Sequence, residues 1–307
     1  MLVTLKELLL KAQKGGYAVG AFNVNNLEII QAVIEAAETE YSPLILSTSE
    51  GAIEYAGLEE LATLIKISAR KASVPICLHL DHGKNINLVE EVIKSGLYTS
   101  IMYDGSALEY EENLFNTKRL AKMAHRAGMS IEAELGALAG IEDFVEVEEK
   151  DAHLTNPEQA RDFVYETGCD ALAIAIGTSH GAFKYKGEAQ LDFERLERIR
   201  EFVNIPLVLH GASGVPEHIK TKCMQYGCEI ADAKGVEDYL IKKAVNLGIC
   251  KINIDTDIRI AFDAGVRKYL QENPEVIDPR KIMGGAKELM TEVAREKMRL
   301  FGSSGRI

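Results

Sequence analysis

The sequence lacks most of the marks of a secreted, membrane-bound or nucleic-acid-binding protein. Its five cysteines, Cys77, Cys169, Cys223, Cys228 and Cys250, are an odd number at no zinc-ribbon spacing. Buried thiols in a reducing compartment are therefore expected in preference to a disulfide framework. No apolar run approaches the roughly 20 residues that span a bilayer. A signal peptide is not expected either, because Leu5-Lys6-Glu7-Leu8-Leu9-Leu10-Lys11 carries charges inside its apolar run and lacks a small-residue cleavage site. The expected location is the cytoplasm. Positive charge is in deficit: 35 Lys and Arg against 47 Asp and Glu give a net charge of −12. That balance repels nucleic acid and anionic lipid, so neither is an expected partner. It would also oppose an anionic metabolite unless basic groups were concentrated locally. No Pro-, Gly- or Ser-rich linker divides the chain, and the glycine fingerprint of a dinucleotide fold is missing. Residues 1–307 are expected to form one domain.

What is present is a repeating alternation of short β-rich runs and helical periods. The runs are Ala18–Phe22, Pro43–Ser47, Pro75–Leu80, Thr99–Tyr103, Ser130–Glu134, Ala171–Ile176, Pro206–His210 and Lys251–Ile254. Helical patterns follow near Leu27–Thr39, Leu58–Lys71, Leu88–Ser95, Glu111–Ala127, Pro157–Thr167, Phe193–Phe202, Glu217–Tyr226, Val236–Leu247 and Ile258–Leu270. Long loops are expected after the fifth and sixth runs. Most runs are continuously apolar, as parallel strands covered on both faces require. Eight β-then-α units indicate a (β/α)8 TIM barrel, with Arg280–Leu300 as an additional C-terminal helix. An open, doubly wound sheet is the alternative that the count of eight disfavours.

Every run ends in polar residues: Asn23; Ser47-Thr48-Ser49; His79-Leu80-Asp81-His82; Asp104; Glu132 and Glu134; Gly177-Thr178-Ser179-His180; His210-Gly211-Ala212-Ser213; Asn253 and Asp255. In a barrel these positions converge on the rim where such enzymes do their chemistry. One polar strand end is easily a helix cap; eight together are not. His82, His180 and His210 end three different strands, and three imidazoles with an open position make a catalytic zinc site. Taken singly, each is as readily a buried, hydrogen-bonded imidazole. His125, His153 and His218 fall on a helix, a loop and a helix, where packing or surface roles are the default. His79 shares strand parity with Asp81, so both can face the interior. Asp81 suits proton transfer to a hydroxyl, with orientation of an imidazole as the competing role. Asp104 and Glu134 end neighbouring strands and suit either a second cation site or a cap or salt bridge. Gly177–Gly181 with Lys184, and His210–Gly214, supply backbone N–H groups and hydroxyls of the kind that hold an anion.

These segments resemble the class II, zinc-dependent fructose-bisphosphate aldolase family. Pro75-Ile76-Cys77-Leu78-His79-Leu80-Asp81-His82-Gly83 is similar to its first signature. Ile131-Glu132-Ala133-Glu134-Leu135-Gly136 with Gly140-Ile141-Glu142-Asp143 is similar to its second, with Ala139 where glycine is common. Asn253-Ile254-Asp255-Thr256-Asp257 completes the pattern, and the resemblance runs from Ala21-Phe22-Asn23-Val24-Asn25 to Asp278-Pro279-Arg280. It implies that His82, His180 and His210 bind zinc. It further implies that Asp81 moves the proton of the C4 hydroxyl, and that Glu142 exchanges the proton on the dihydroxyacetone phosphate carbon. Zinc and Asn253 would stabilise the enediolate oxygens. Gly181, Lys184, Gly211, Ser213 and Thr256 would hold the ketone-side phosphate, and Asn23, Ser49 and Asp255 would contact the sugar chain. Arg259 and Arg280 match residues that hold the far phosphate, one of them supplied by a neighbouring subunit, so a homodimer or homotetramer is implied. A monovalent cation (Na⁺ or K⁺) near the phosphate loop completes the implied inventory, beside the second divalent cation that Asp104 and Glu134 suit. The expected activity is reversible cleavage of fructose 1,6-bisphosphate. The alternatives are the same chemistry on tagatose 1,6-bisphosphate, a metal-dependent barrel hydrolase, and a non-enzymatic sugar-phosphate-binding barrel.

Overall fold

Inward-facing residues along the strands explain the architecture. In the computed structural model, the chain is described except at residues 138, 143–144, 148–152, 181–189 and 231–232; for 139–142, 145–147 and 180 the backbone alone is described. The strands are β1 (Val19–Asn23), β2 (Leu44–Thr48), β3 (Ile76–Gly83), β4 (Ser100–Tyr103), β5 (Ser130–Leu135), β6 (Ala139–Glu142), β7 (Val145–Val147), β8 (Ala171–Ile174), β9 (Ser179–His180), β10 (Leu207–Leu209) and β11 (Ile249–Ile254). Eight of them close a parallel barrel in the order β1-β11-β10-β8-β5-β4-β3-β2. The expected (β/α)8 barrel is present.

The helices are α1 (Leu5–Gly15), α2 (Leu27–Glu40), α3 (Glu50–Ala56), α4 (Leu58–Lys71), α5 (Ile86–Ser95), α6 (Tyr110–Arg126), α7 (Pro157–Thr167), α8 (Phe193–Phe202), α9 (Glu217–Gln225), α10 (Asp238–Asn246), α11 (Thr256–Glu272), α12 (Pro279–Gly284) and α13 (Lys287–Leu300). Outward strand residues such as Phe22, Leu44, Leu46, Leu78 and Leu80 join the helices in one apolar shell. Inward residues Val19, Ala21, Ile45, Cys77, Met102 and Val208 form a second core inside the lower barrel. It is sealed by α1, whose Leu5, Leu8, Leu9 and Ala12 fall on one helical stripe. Thr4 caps that helix by accepting the Glu7 N–H at 3.3 Å.

Four expectations change. The Leu5–Lys11 segment, assigned no element from sequence, lies in the α1 plug. The loop after β5 contains β6, which pairs antiparallel with β7 and parallel with β9, Gly140 opposite His180. The appended stretch from Arg280 to Leu300 is two helices, broken at Gly285-Ala286. There the chain packs so closely that a Cβ on Gly285 would come within 2.7 Å of the Tyr269 ring. Finally, Cys223 and Cys228, expected as scattered thiols, stand side by side: α9 ends at Gln225 and Gly227 (φ 90°) turns the chain back, leaving the two Cα atoms 5.3 Å apart. Cys77, Cys169 and Cys250 are free and buried as expected.

Candidate active site

Successive residues of a regular strand face opposite sides of the sheet, yet Asp81 and His82 serve the same site. The pairing of β3 with β4 shifts register between Leu80 and Gly83, and His82 takes a left-handed conformation, φ 46°. This irregularity re-aims one side chain, as bulges beside functional sites do. His82 and His210 then meet across the barrel, His82 Nε2 lying 2.7 Å from His210 Nδ1.

The remaining ring nitrogens each face a carboxylate. His82 Nδ1 is 3.0 Å from Asp104 Oδ2 and 3.7 Å from Glu134 Oε2. His210 Nε2 is 2.7 Å from Glu132 Oε1. A carboxylate acceptor fixes the ring proton on its own side of the imidazole. In the neutral rings, that leaves the lone pairs of His82 Nε2 and His210 Nδ1 facing each other. Two ring nitrogens of this kind are donors that a cation can share once it spreads them, and one oxygen of Asp81 lies within the same 4.8 Å cluster. This donor set fits a divalent metal. Burial, followed by the neighbouring His82 and Lys251, keeps the His210 pKa below its ordinary value despite Glu132. That direction favours the neutral form of His210, the form a ligand takes.

Asp81 is buried and held from two sides: Asn23 Nδ2 donates to Oδ2 at 3.0 Å and Asn253 Nδ2 to Oδ1 at 2.8 Å. Burial pulls its pKa up, but His82, Lys251 and His210 together pull it further down, well below the usual carboxylate range. Asp81 is thus an ionised, buried carboxylate. The Oδ1 atoms of Asn23 and Asn253 are buried without a hydrogen-bond partner, so both are acceptors left unused within the protein.

Two residues without a role in the sequence reading stand beneath the site. Lys251 Nζ lies 3.0 Å from both oxygens of Glu132, and both side chains are fully buried. Burial raises the Glu132 pKa, and Lys251 and the hydrogen bond to His210 lower it more, so the carboxyl remains charged. A buried pair of this kind is costly to desolvate, and here it anchors the ring of His210. His79 joins it from β3. Its Nδ1 is 3.0 Å from Ser100 Oγ and its Nε2 3.7 Å from Glu132 Oε2. Burial, reinforced by Lys251, lowers the His79 pKa to about 3. The available signal was a lysine and a glutamate at inward positions of otherwise apolar strands.

The family described as fructose-bisphosphate aldolase class-II matches the chain over residues 3–306. The chain belongs to that family. A fructose-bisphosphate aldolase of Thermus caldophilus is 52% identical over 306 residues, covering 100% of both chains. One of Helicobacter pylori (strain ATCC 700392 / 26695) is 48% identical over 308 residues with the same coverage. Among solved structures, the YdjI aldolase of Escherichia coli K12 superposes with a TM-score of 0.81 at 35% identity, covering 100% of this chain and 99% of that one. As members of this family are lyases, so is this chain, and metal dependence is general among them.

Within this class II aldolase fold, the other expected residues divide into three groups. Gly211 and Ser213 follow β10, where Gly211 (φ 62°) packs so closely on Ser179 that a Cβ would come within 2.7 Å of its carbonyl oxygen. Ser213 Oγ accepts the Asp255 N–H at 3.4 Å, and Asn253, Asp255 and Thr256 run from β11 into α11. Ser49 caps α3, accepting the Ala52 N–H at 3.2 Å. In the second group the two arginines are held by neighbouring carboxylates: Arg259 is ion-paired to Asp255 at 2.8 Å. Arg280, on α12, is 89% exposed and paired to Asp278 at 2.9 Å. The third lies outside the described residues: Gly181, Lys184, and the side chains of His180 and Glu142, although the β6–β9 pairing sets the backbone of Gly140 beside that of His180.

Proposed function

We propose that this chain is a zinc-dependent cytoplasmic aldolase that reversibly cleaves fructose 1,6-bisphosphate to dihydroxyacetone phosphate and glyceraldehyde 3-phosphate, in glycolysis or gluconeogenesis, with residues 1–307 acting as one catalytic domain. The observation that carries this reading is the pair of facing imidazole nitrogens, His82 Nε2 and His210 Nδ1 at 2.7 Å, beside Asp81. His82, His180 and His210 hold zinc, which supplies a Lewis acid for the charge that collects when the C3–C4 bond breaks. Asp81 accepts the proton of the C4 hydroxyl on cleavage and returns it on condensation. Asn23 and Asn253 keep both carboxylate oxygens in place for that transfer. Asn253 is also assigned to the oxygens of the ketone half. Glu142 exchanges the proton at the ketone-side carbon.

Gly181, Lys184, Gly211, Ser213 and Thr256 hold the ketone-side phosphate, and Asn23, Ser49 and Asp255 contact the sugar chain. Arg259 and Arg280 serve the far phosphate, one of them reaching a neighbouring subunit in a homodimer or homotetramer. The exposure of Arg280 supports that role. Asp104 and Glu134, which converge with His82, hold a second divalent cation, and a monovalent cation (Na⁺ or K⁺) sits by the phosphate loop. Local groups thereby offset the repulsion of an acidic chain for a doubly anionic substrate.

A coupled assay with fructose and tagatose bisphosphates, with and without chelator, tests the reading. The expected result is cleavage of the fructose substrate that chelation abolishes and zinc or cobalt restores. Preferential cleavage of tagatose 1,6-bisphosphate would reassign the substrate, and full turnover after chelation would sink the metal-dependent mechanism.

A further inference from the structure

Asp257, the last residue of the Asn253–Asp257 motif, has no part in the chemistry above, yet it is fully buried. Its Oδ1 accepts the Val215 N–H at 2.7 Å and its Oδ2 the Gly214 N–H at 3.1 Å. Lys297 of α13, itself only 4% exposed, reaches the same Oδ2 from the other side at 2.9 Å. Burial raises the Asp257 pKa, but the ammonium of Lys297 and these hydrogen bonds bring it below the ordinary value, so the group is a charged acceptor.

The two N–H groups it binds belong to the loop that starts at His210 and contains Gly211 and Ser213. That loop is strained, since Val215 adopts φ 47°, a left-handed conformation that a β-branched residue avoids. Such a conformation persists only where its surroundings over-determine it. Two consecutive amides bound to one carboxylate fix two adjacent peptide planes. A third tie, Val236 N–H to the Ser213 carbonyl at 3.1 Å, holds the loop from the far side. Gly214 is close enough that a Cβ there would meet Lys297 Nζ at 2.8 Å.

We infer that Asp257, clamped by Lys297, is a positioning residue that holds the Gly211–Val215 loop in its phosphate-binding shape, so that the C-terminal helix α13 governs affinity for the phosphate group. The inference rests on the reading of Gly211 and Ser213 as phosphate contacts. Asp257→Asn removes the charge and turns one acceptor into a donor facing an N–H. Lys297→Met leaves the carboxylate buried without its cation.

The test measures KM and kcat for fructose 1,6-bisphosphate and the inhibition constant of inorganic phosphate, with zinc content and circular dichroism as checks. Lys297→Met and Asp257→Asn are expected to raise KM and the phosphate inhibition constant about tenfold, with a much smaller fall in kcat and full zinc content. Arg295→Ala, which weakens the same helix through its 2.8 Å pair with Glu40, is expected to leave both constants unchanged. The inference is overturned if Ser213→Ala raises both constants while Lys297→Met does not, or if Arg295→Ala raises them as much as Lys297→Met. Should Ser213→Ala move neither constant, the phosphate-loop reading itself fails, and the inference with it. If Lys297→Met does not fold, Asp257→Asn decides.

Discussion

The two ends of the barrel are built from the same strands and the same period, yet they have opposite chemistry. On β1 the inward residues step from Val19 and Ala21 to Asn23, and on β3 from Cys77 to His79 and Asp81. β2 passes from Ile45 to Ser47, and β10 from Val208 to His210 just beyond its end. The lower layers are apolar and sealed by α1. The upper layer gathers imidazoles, carboxylates, amides and a buried lysine. The outward residues are almost all apolar at both ends, because helices cover them there; Thr48, bonded to the Tyr98 hydroxyl, is an exception. The lesson is a division of labour along each strand: the lower end supplies dry packing, and the rigidity it gives lets the upper end hold charged groups at fixed distances.

That division can be broken at either end, with different consequences. Removing the metal by chelation should have the largest effect on function, a loss of turnover of roughly a thousandfold or more. Far-UV circular dichroism should stay near native, since the lower core is packed by apolar side chains and α1; unfolding on chelation would mean the two ends are not separable. Asp81→Ala should lower kcat by about 10²–10⁴-fold while metal content, read by atomic absorption, is retained. Loss of metal would demote Asp81 to a structural role. Leu9→Ala, at the plug, should do the converse. It should cost about 2–5 kcal/mol in denaturant unfolding and leave the kcat of the folded protein unchanged.

The smallest effect is expected at an ion cluster at the C-terminal end of α2, beside the lower rim. Hydrogen bonds from Arg299, with Arg295 and Ser304, outweigh burial and hold the Glu40 carboxyl down to about 2 from 4.5. A depressed carboxylate contributes stability that is complete above its unfolded pKa and is lost as pH falls through the folded one. The stability gap between the native chain and Glu40→Gln should therefore be constant at neutral pH, then narrow from about pH 4.5 towards about 2. A gap that persists at acid pH would show that the cluster acts by packing rather than charge.

Much of this layout was legible in the residues themselves. The apolar runs marked the barrel strands within a few residues, because parallel strands buried on both faces leave a continuous signal. The polar strand ends pointed to the rim because chemistry cannot be done with aliphatic side chains. What escaped were features set by tertiary packing. The helix α1 has the 3–4 spacing of a buried face in Leu5, Leu8, Leu9 and Ala12, but only the barrel floor reveals what that face covers. The Glu132–Lys251 pair was visible as two charges on apolar strands, without a hint that they meet. The turn that brings Cys223 beside Cys228 depends on a left-handed Gly227, which spacing alone does not distinguish from an ordinary loop. Nor does the sequence show that the register shift in β3 turns Asp81 and His82 toward a common site.

That shift has a mechanical consequence. Asp81 and His82 share a peptide bond, so the spacing of their Cα atoms is set by covalent geometry and does not depend on how well the barrel holds its shape. His210 and Asn253 arrive on other strands and move as the barrel breathes. Vibration or a distant substitution that distorts the cylinder would therefore alter the reach of His210 long before it parted Asp81 from His82. Those two side chains are mounted as a single jig, with the rest of the rim adjusted around them.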